Sequence, residues 1–355
     1  MRILSGTHHT APLAILSYCF ASILMTVTNK LVLSSYDFKL NFLLLAIQSI
    51  ITVALLEISV GLGLLTHRPF RTSEAKNWFI VSLSLVLMIY TGSKSLQFLS
   101  IPVFTIFKNL TIIITAYAER IILKGAAVTH LMLVSFSLIV ASSIIAGWAD
   151  ITAGHLLKDN QANIVVAYGW MFSNCIATCS FTLFMKGKLK ASGFKDFDTV
   201  FYNNLLSIPT LLIMSIINEM PEALRLYDRY YGSTSDLYSS EFYGLSIGIL
   251  VSSVSAFGIS YSTSWCVRVT SSTTYSMAGA LNKLPIAVAG MIFFDAVVNF
   301  ASIMGVLFAF TGGIVYSLAK MQQSAELSST LKDTSVTLPL HKSLDEDYRD
   351  EKSAP

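Results

Sequence analysis

Ten stretches of about 20 apolar residues, joined by short links, leave this chain few ways to fold. They lie near 12–33, 41–65, 78–99, 102–122, 128–147, 164–186, 201–217, 242–265, 271–293 and 299–318. A helix rises about 1.5 Å per residue, so such a run matches the roughly 30 Å hydrocarbon core of a bilayer. Inside that core every backbone N–H and C=O must be satisfied within the segment, which selects helices. Charged residues make up 13% of the chain and hydrophobic residues 54%, whereas a soluble domain carries about 25% charged residues. Mean hydropathy is +0.63.

The expectation is an all-α membrane protein of ten transmembrane helices. One domain spans 1–320, and the links at 100–101 and 295–298 leave no room for others. The first run is too long for a signal-peptide core and should stay as helix one. After Lys320 the apolar pattern gives way to Gln322, Gln323, Ser328 and Ser329 and then to the charged run from Lys342 to Lys352. Such a segment cannot bury enough surface to fold, so 321–355 is expected as a disordered tail.

Lysine and arginine counts in the links set the orientation. One side holds Arg68, Arg71, Lys76, Arg120, Lys124, Lys186, Lys188, Lys190, Lys195 and Arg268; the other holds only Lys39, Lys158, Arg225 and Arg229. The richer side belongs in the cytosol, and an even number of spans puts both termini there. The largest opposite link is acidic, with Glu219, Glu222, Asp228, Asp236 and Glu241. A net charge of +3, spread over loops, gives no footprint for nucleic acid.

The cysteines, Cys19, Cys175, Cys179 and Cys266, fall in or beside apolar runs. With no histidine at ligand spacing they read as packing residues, not as a disulfide framework or a zinc site. The sequon Asn109-Leu110-Thr111 lies within a span, out of reach of glycosylation.

Ten helices divide into two fives, and the sequence hints at such a repeat. Tyr90-Thr91-Gly92-Ser93 leads to Lys108-Asn109 as Tyr261-Ser262-Thr263-Ser264 leads to Asn282-Lys283. Halves with an odd number of helices enter the membrane in opposite senses. The expected architecture is two inverted five-helix repeats, about 12–147 and 164–318, with a site at their interface.

Two lysines need a reason inside such a bundle. A charged side chain at bilayer depth costs roughly 2.5–3.5 kcal/mol on insertion scales, so it faces a polar cavity and serves a ligand or a pathway. Lys283, within Gly279-Ala280-Leu281-Asn282-Lys283, and Lys108 would repel each other at the repeat interface unless a multiply charged anion lay between them. A phosphate or diphosphate meets that need, with lysine acting as a point charge. Lys30 and Lys94 lie near span ends, where snorkelling accounts for them. A second cluster, Phe201-Tyr202-Asn203-Asn204, opens the seventh run. Its adjacent amides offer donors and acceptors to a base edge, and its ring could stack or pack; capping by asparagine is the plain alternative.

These two strings resemble the signature motifs of Golgi GDP-mannose transporters, within the drug/metabolite transporter superfamily. The likeness extends to Leu24-Met25-Thr26-Val27-Thr28-Asn29-Lys30, Thr105-Ile106-Phe107-Lys108-Asn109-Leu110-Thr111, Phe194-Lys195-Asp196-Phe197-Asp198-Thr199 and the stretch from Trp265 to Met277, and covers Leu16 to Lys320. It leaves 218–241 and both termini unmatched. The resemblance implies that Asn203 and Asn204 recognise guanine; Tyr202, in the same motif, is a further candidate for substrate contact. Asn282 and Lys283, with Gly279, would hold the ribose and diphosphate side. Tyr18, Ser260 and Tyr275 stand where such transporters contact sugar or nucleoside.

The function so implied is carriage of GDP-mannose into the Golgi lumen in exchange for GMP, by alternating access. It needs no cofactor, metal or nucleic acid, and its surroundings are membrane lipids; a homodimer stays open. The nearest rival is a carrier for another GDP-sugar or a sugar phosphate, keeping the lysines and relaxing the amides. A membrane glycosyltransferase or hydrolase would want a carboxylate cluster, yet the main carboxylates away from links, Glu57 and Glu119, lie on different helices. A membrane scaffold leaves Lys108 and Lys283 without a task.

Overall fold

In the computed structural model, which describes residues 7–35, 38–99, 101–146, 148, 164–231, 235–282 and 300–337, an α-helix falls on each apolar run as far as it is described, the ninth run lying outside the described residues beyond residue 282. These are α1 Thr7–Ser35, α2 Asn41–Gly61, α3 Thr72–Phe98, α4 Ile101–Ile122 and α5 His130–Ala146, followed by α6 Ile164–Ser192, α7 Asp196–Tyr231, α8 Ser235–Val269, α9 Ser272–Leu281 and α10 Phe300–Thr337. The described residues contain no β-strand. Stretches of α1, α2, α3, α7, α8 and α10 are long and apolar enough to cross a membrane, and α5 is a shorter apolar helix. The protein is an all-α membrane protein.

The most extensive helix pairings are α5 with α10, α3 with α6, α1 with α8 and α2 with α7. Exchanging α1–α5 for α6–α10 turns α3–α6 into α8–α1 and α2–α8 into α7–α3, and returns α2–α7, α5–α10 and α4–α9 to themselves. The broad α7–α8 contact has no equally extensive counterpart between α2 and α3. Lipid supplies no hydrophobic drive between helices, so close packing and hydrogen bonds hold such pairs together. At α5–α10 the Ser135 hydroxyl donates to the Gly312 carbonyl at 2.7 Å. A Cβ at Gly312 would stand 2.8 Å from Ile139 Cγ1, so only glycine permits that approach.

Buried side chains meet the open ends of several helices. The first N–H groups of a helix have no partner within it. At the start of α2, Glu219 of α7 accepts from Phe42 N at 2.7 Å and Leu43 N at 3.1 Å. At the start of α9, Glu119 of α4 accepts from Ser272 N and Thr273 N, each at 2.9 Å, and from the Thr273 hydroxyl at 2.6 Å. The Ser271 hydroxyl adds a local cap, accepting from Thr274 N at 3.1 Å. At the other polarity, Lys186 Nζ donates to the carbonyls of Val267 at 2.7 Å, Arg268 at 3.1 Å and Thr270, closing the C-terminus of α8.

Helices run further than the apolar runs foretell. The acidic stretch between the seventh and eighth runs is mostly helical, since α7 continues to Tyr231 and α8 begins at Ser235. Hydropathy marks where a helix stays apolar, whereas its hydrogen bonds continue wherever propensity and side-chain pairs such as Glu222–Arg225 allow. Likewise α10 passes Lys320, where the tail was expected to begin, and reaches Thr337. Gln323 ties that extension down by donating to the Ala127 carbonyl at 2.6 Å. Residues 338–355 lie outside the described residues.

Candidate functional site

Two adjoining cavities, of about 210 and 150 Å³, open in the middle of the bundle. Both are lined by Met88 of α3, Phe181 of α6 and Tyr275 of α9. The larger is bounded by α1, α4, α6 and α9, the smaller by α3, α7 and α8.

The larger cavity receives Tyr18, Lys108 and Gly279. Tyr18 and Tyr275 pack with ring centroids 5.0 Å apart, and a Cβ at Gly279 would lie 3.3 Å from the Tyr18 hydroxyl, so three site residues meet at one point. Lys108 Nζ donates to Thr178 Oγ1 of α6 at 2.7 Å and stands 5.6 Å over the Phe104 ring. Hydroxyls of Thr111, Thr178, Thr182 and Ser276 line the same space. The first three donate to carbonyls of their own helices, which leaves oxygen lone pairs for incoming donors. A lysine among such acceptors fits a hydroxylated anion.

The smaller cavity receives Asn203, Asn204 and Ser260. Asn204 Nδ2 donates to the Val200 carbonyl at 2.8 Å and lies 3.4 Å from Ser260 Oγ. Its Oδ1 thereby faces away from its own helix as an acceptor. Asn203 Oδ1 is 3.5 Å from Ser82 Oγ, a contact weak enough to yield to a ligand. Neighbouring amides carry both donors and acceptors, as does a guanine edge, with its acceptor at O6 and donors at N1 and N2. Tyr275, between the two chambers, offers a ring face to a base.

Two residues assigned from the sequence, Tyr202 and Asn282, line neither cavity, and a third lies outside the described residues. Tyr202 lines neither cavity: it is fully buried, stacked on Phe194 at 5.1 Å, and its hydroxyl accepts from Arg71 N at 2.8 Å and donates to Glu74 Oε2 at 2.9 Å. Successive helical residues point about 100° apart, so a helix that turns Asn203 and Asn204 inward turns Tyr202 toward α3. It serves the fold and not the cavity wall. Asn282 is the C-cap of α9, and neither of its buried side-chain amide atoms has a hydrogen-bond partner among the described residues. Lys283 lies outside the described residues. Lys94 is half-buried beside Gln97 and the Tyr90 ring and lines neither cavity, while the side chain of Lys30 is outside the described residues.

Sequence reasoning missed Thr178 and Thr182. Threonines in an apolar run carry no charge to single them out, and the partner of Thr178 sits on another helix. Among the described residues no three His, Cys, Asp or Glu side chains converge as a metal-ligand set.

No protein-family model matches the chain. The sequence is 49% identical over 318 residues to a GDP-mannose transporter of Komagataella pastoris, spanning 90% of this chain and 93% of that one. It is 48% identical over 328 residues to a GDP-mannose transporter of Schizosaccharomyces pombe, across 92% and 90% of the two chains. It is 50% identical over 327 residues to a GDP-mannose transporter of Aspergillus oryzae, across 91% and 84%. A crystal structure only 13% identical superposes with a TM-score of 0.62 over 88% of this chain and 98% of that one, a likeness of fold alone.

Proposed function

The chain belongs to the GDP-mannose transporter family, and from that premise we propose that it carries GDP-mannose from the cytosol into the Golgi lumen in exchange for GMP. A member of this family is a transporter and not an enzyme, so the site has to recognise and release its ligand without making or breaking a bond. The carrying observation is that Asn203 and Asn204 open onto one cavity, Lys108 onto the next, and Tyr275 belongs to both. Amides suited to guanine thus stand beside a cation and hydroxyls suited to phosphate and sugar. In the same reading Lys283 and Asn282 hold the diphosphate and ribose side.

Alternating access by two inverted five-helix repeats, with ten spans in all, is supported by the exchange pattern of the helix pairs. The polar contacts follow it too: Gln48 Nε2 donates to Ser252 Oγ at 2.7 Å across α2–α8, as Ser82 approaches Asn203 across α7–α3. A cytosolic position for the basic end is supported by contacts that gather its residues. Lys186 reaches the end of α8, Arg268 pairs with Asp196, and Arg68 donates to the Ser192 and Gly193 carbonyls. Exposed Leu16, Phe20, Ile121 and Val165 suit a lipid-facing surface.

Counterflow uptake of labelled GDP-mannose into proteoliposomes preloaded with GMP tests the reading, with GMP and UMP as competitors. The unmutated protein should be inhibited by GMP far more than by UMP. Asn203→Ala and Asn204→Ala should narrow that gap by about tenfold each, since a wrong base leaves buried amides unpaired. Equal competition by GMP and UMP in the unmutated protein would refute the guanine assignment and favour a sugar-phosphate carrier.

A further inference from the structure

Lys108 does not enter its cavity unsupported. Its ammonium meets Thr178 Oγ1 at 2.7 Å, across the gap from α4 to α6. The polarity of that contact is fixed, because the Thr178 hydroxyl hydrogen is already given to the Asn174 carbonyl at 2.7 Å. Only the lone pairs are left to face the ammonium.

Asn174, one turn earlier, fixes that stretch of α6. It is fully buried, and its Nδ2 donates to the Met88 carbonyl at 2.8 Å and to Thr91 Oγ1 at 3.1 Å, both on α3. A Cβ at Gly92 would stand 3.1 Å from the same nitrogen, so glycine there makes room for the amide. The Thr91-Gly92 pair, which sequence reading linked only to a repeat, thereby acquires a task. A chain of contacts runs from the α3 backbone through Asn174 and Thr178 to the Lys108 ammonium.

We propose that Thr178 is a positioning residue for substrate binding: it holds the Lys108 ammonium in the larger cavity, aimed at the phosphate groups of the nucleotide. The inference rests on the reading of Lys108 as a phosphate-facing cation. Lysine has among the largest rotamer freedoms to lose on binding, and a partner that restrains it beforehand lowers that cost. A backbone-anchored hydroxyl does so without neutralising the charge, as a carboxylate would. An ammonium has three donors, of which this contact takes one.

The test is equilibrium binding of GMP to purified protein, alongside GDP-mannose counterflow, in Thr178→Val, Thr178→Ser, Lys108→Ala and the double variant Lys108→Ala/Thr178→Val. Valine keeps the shape and removes the acceptor. It should raise Kd for GMP and KM for GDP-mannose by about tenfold, with Vmax within about twofold. Serine should restore both to within about threefold. In the Lys108→Ala background the valine change should add nothing, because its effect passes through the lysine. Should the valine variant fail to fold, Thr178→Ala removes the same hydroxyl without adding bulk.

Three results would overturn the proposal, each in a different place. Wild-type affinity in Thr178→Val with weak binding in Lys108→Ala removes Thr178 and leaves the lysine. An undiminished valine effect in the Lys108→Ala background makes Thr178 act independently of the lysine. Wild-type binding and uptake in Lys108→Ala would take down the reading of Lys108 on which the inference stands.

Discussion

Glu119 and Glu219 do the same physical work at opposite ends of the bundle, and the helices they hold do different things. Asp198, at the start of α7, accepts from Arg68 N at the end where Lys186 meets Val267, just before Ser272. Glu119 sits at that end. Glu219 lies about 30 Å further along α7, by the rise of a helix. Each carboxylate is buried and satisfied by the free N–H groups of a helix from elsewhere in the chain. The favourable dipole at a helix start adds to those bonds. Yet α9 carries Tyr275, Ser276 and Gly279 into the cavity, whereas α2 contributes no residue to the lining of either chamber. One kind of bond therefore positions a site at one end and holds up a frame at the other.

The largest effect is expected at Glu119. Glu119→Ala leaves Ser272 N, Thr273 N and the Thr273 hydroxyl without their acceptor, and a buried donor left unpaired costs about 1–3 kcal/mol. Thermal unfolding should move down markedly, and GMP affinity of the folded fraction should fall with it, because the start of α9 sets the depth of Tyr275. Glu119→Gln, which keeps an acceptor oxygen, should lose less of both. Full GMP affinity in folded Glu119→Ala protein would break the link between this cap and the site.

Glu219→Ala sharpens the comparison from the other side. It strips two backbone donors, Phe42 N and Leu43 N, and leaves Ser215 without its partner, so a comparable loss of stability is expected by the same rule. GMP affinity of the folded fraction should stay within about twofold, since a change with no contact to the site usually adds independently. A loss of affinity as deep as that of Glu119→Ala would show the two ends to be coupled through α2.

The two glutamates also mark how far the sequence could be read. Apolar runs located the described helices, because a bilayer leaves a 20-residue apolar segment little choice. They fell short at the ends of α7, α8 and α10, where helix continues on polar residues. Glu119 drew notice as a carboxylate within a run, but Glu219 was grouped with an acidic link because its partners, Phe42 and Leu43, are distant in the chain. Asn203, Asn204 and Lys108 were legible since amides and charge at membrane depth are costly and so conspicuous. Thr178 was not, being one hydroxyl among many. Tyr202 was grouped with its neighbours by adjacency, and helical geometry turned it the other way.

A third carboxylate offers the smallest effect and a control on the other two. Asp196, in the first turn of α7, takes both Arg268 Nε and Nη2 at 2.7 Å, a geometry as good as either glutamate cap. The Arg268 side chain is 43% exposed, however, against 12% for Asp196, so water and salt compete for the pair. Exposed ion pairs of this kind are worth about 0.2–1 kcal/mol. Asp196→Asn should lower thermal stability by no more than that, and raising salt to about 1 M, where the screening length is about 3 Å, should erase most of the difference from the unmutated protein. The deficits of Glu119→Ala and Glu219→Ala should persist at that salt, because the bonds they lose are shielded from ions. If all three deficits shrank together on adding salt, then general charge balance, and not the capping of buried helix starts, would be what these carboxylates provide.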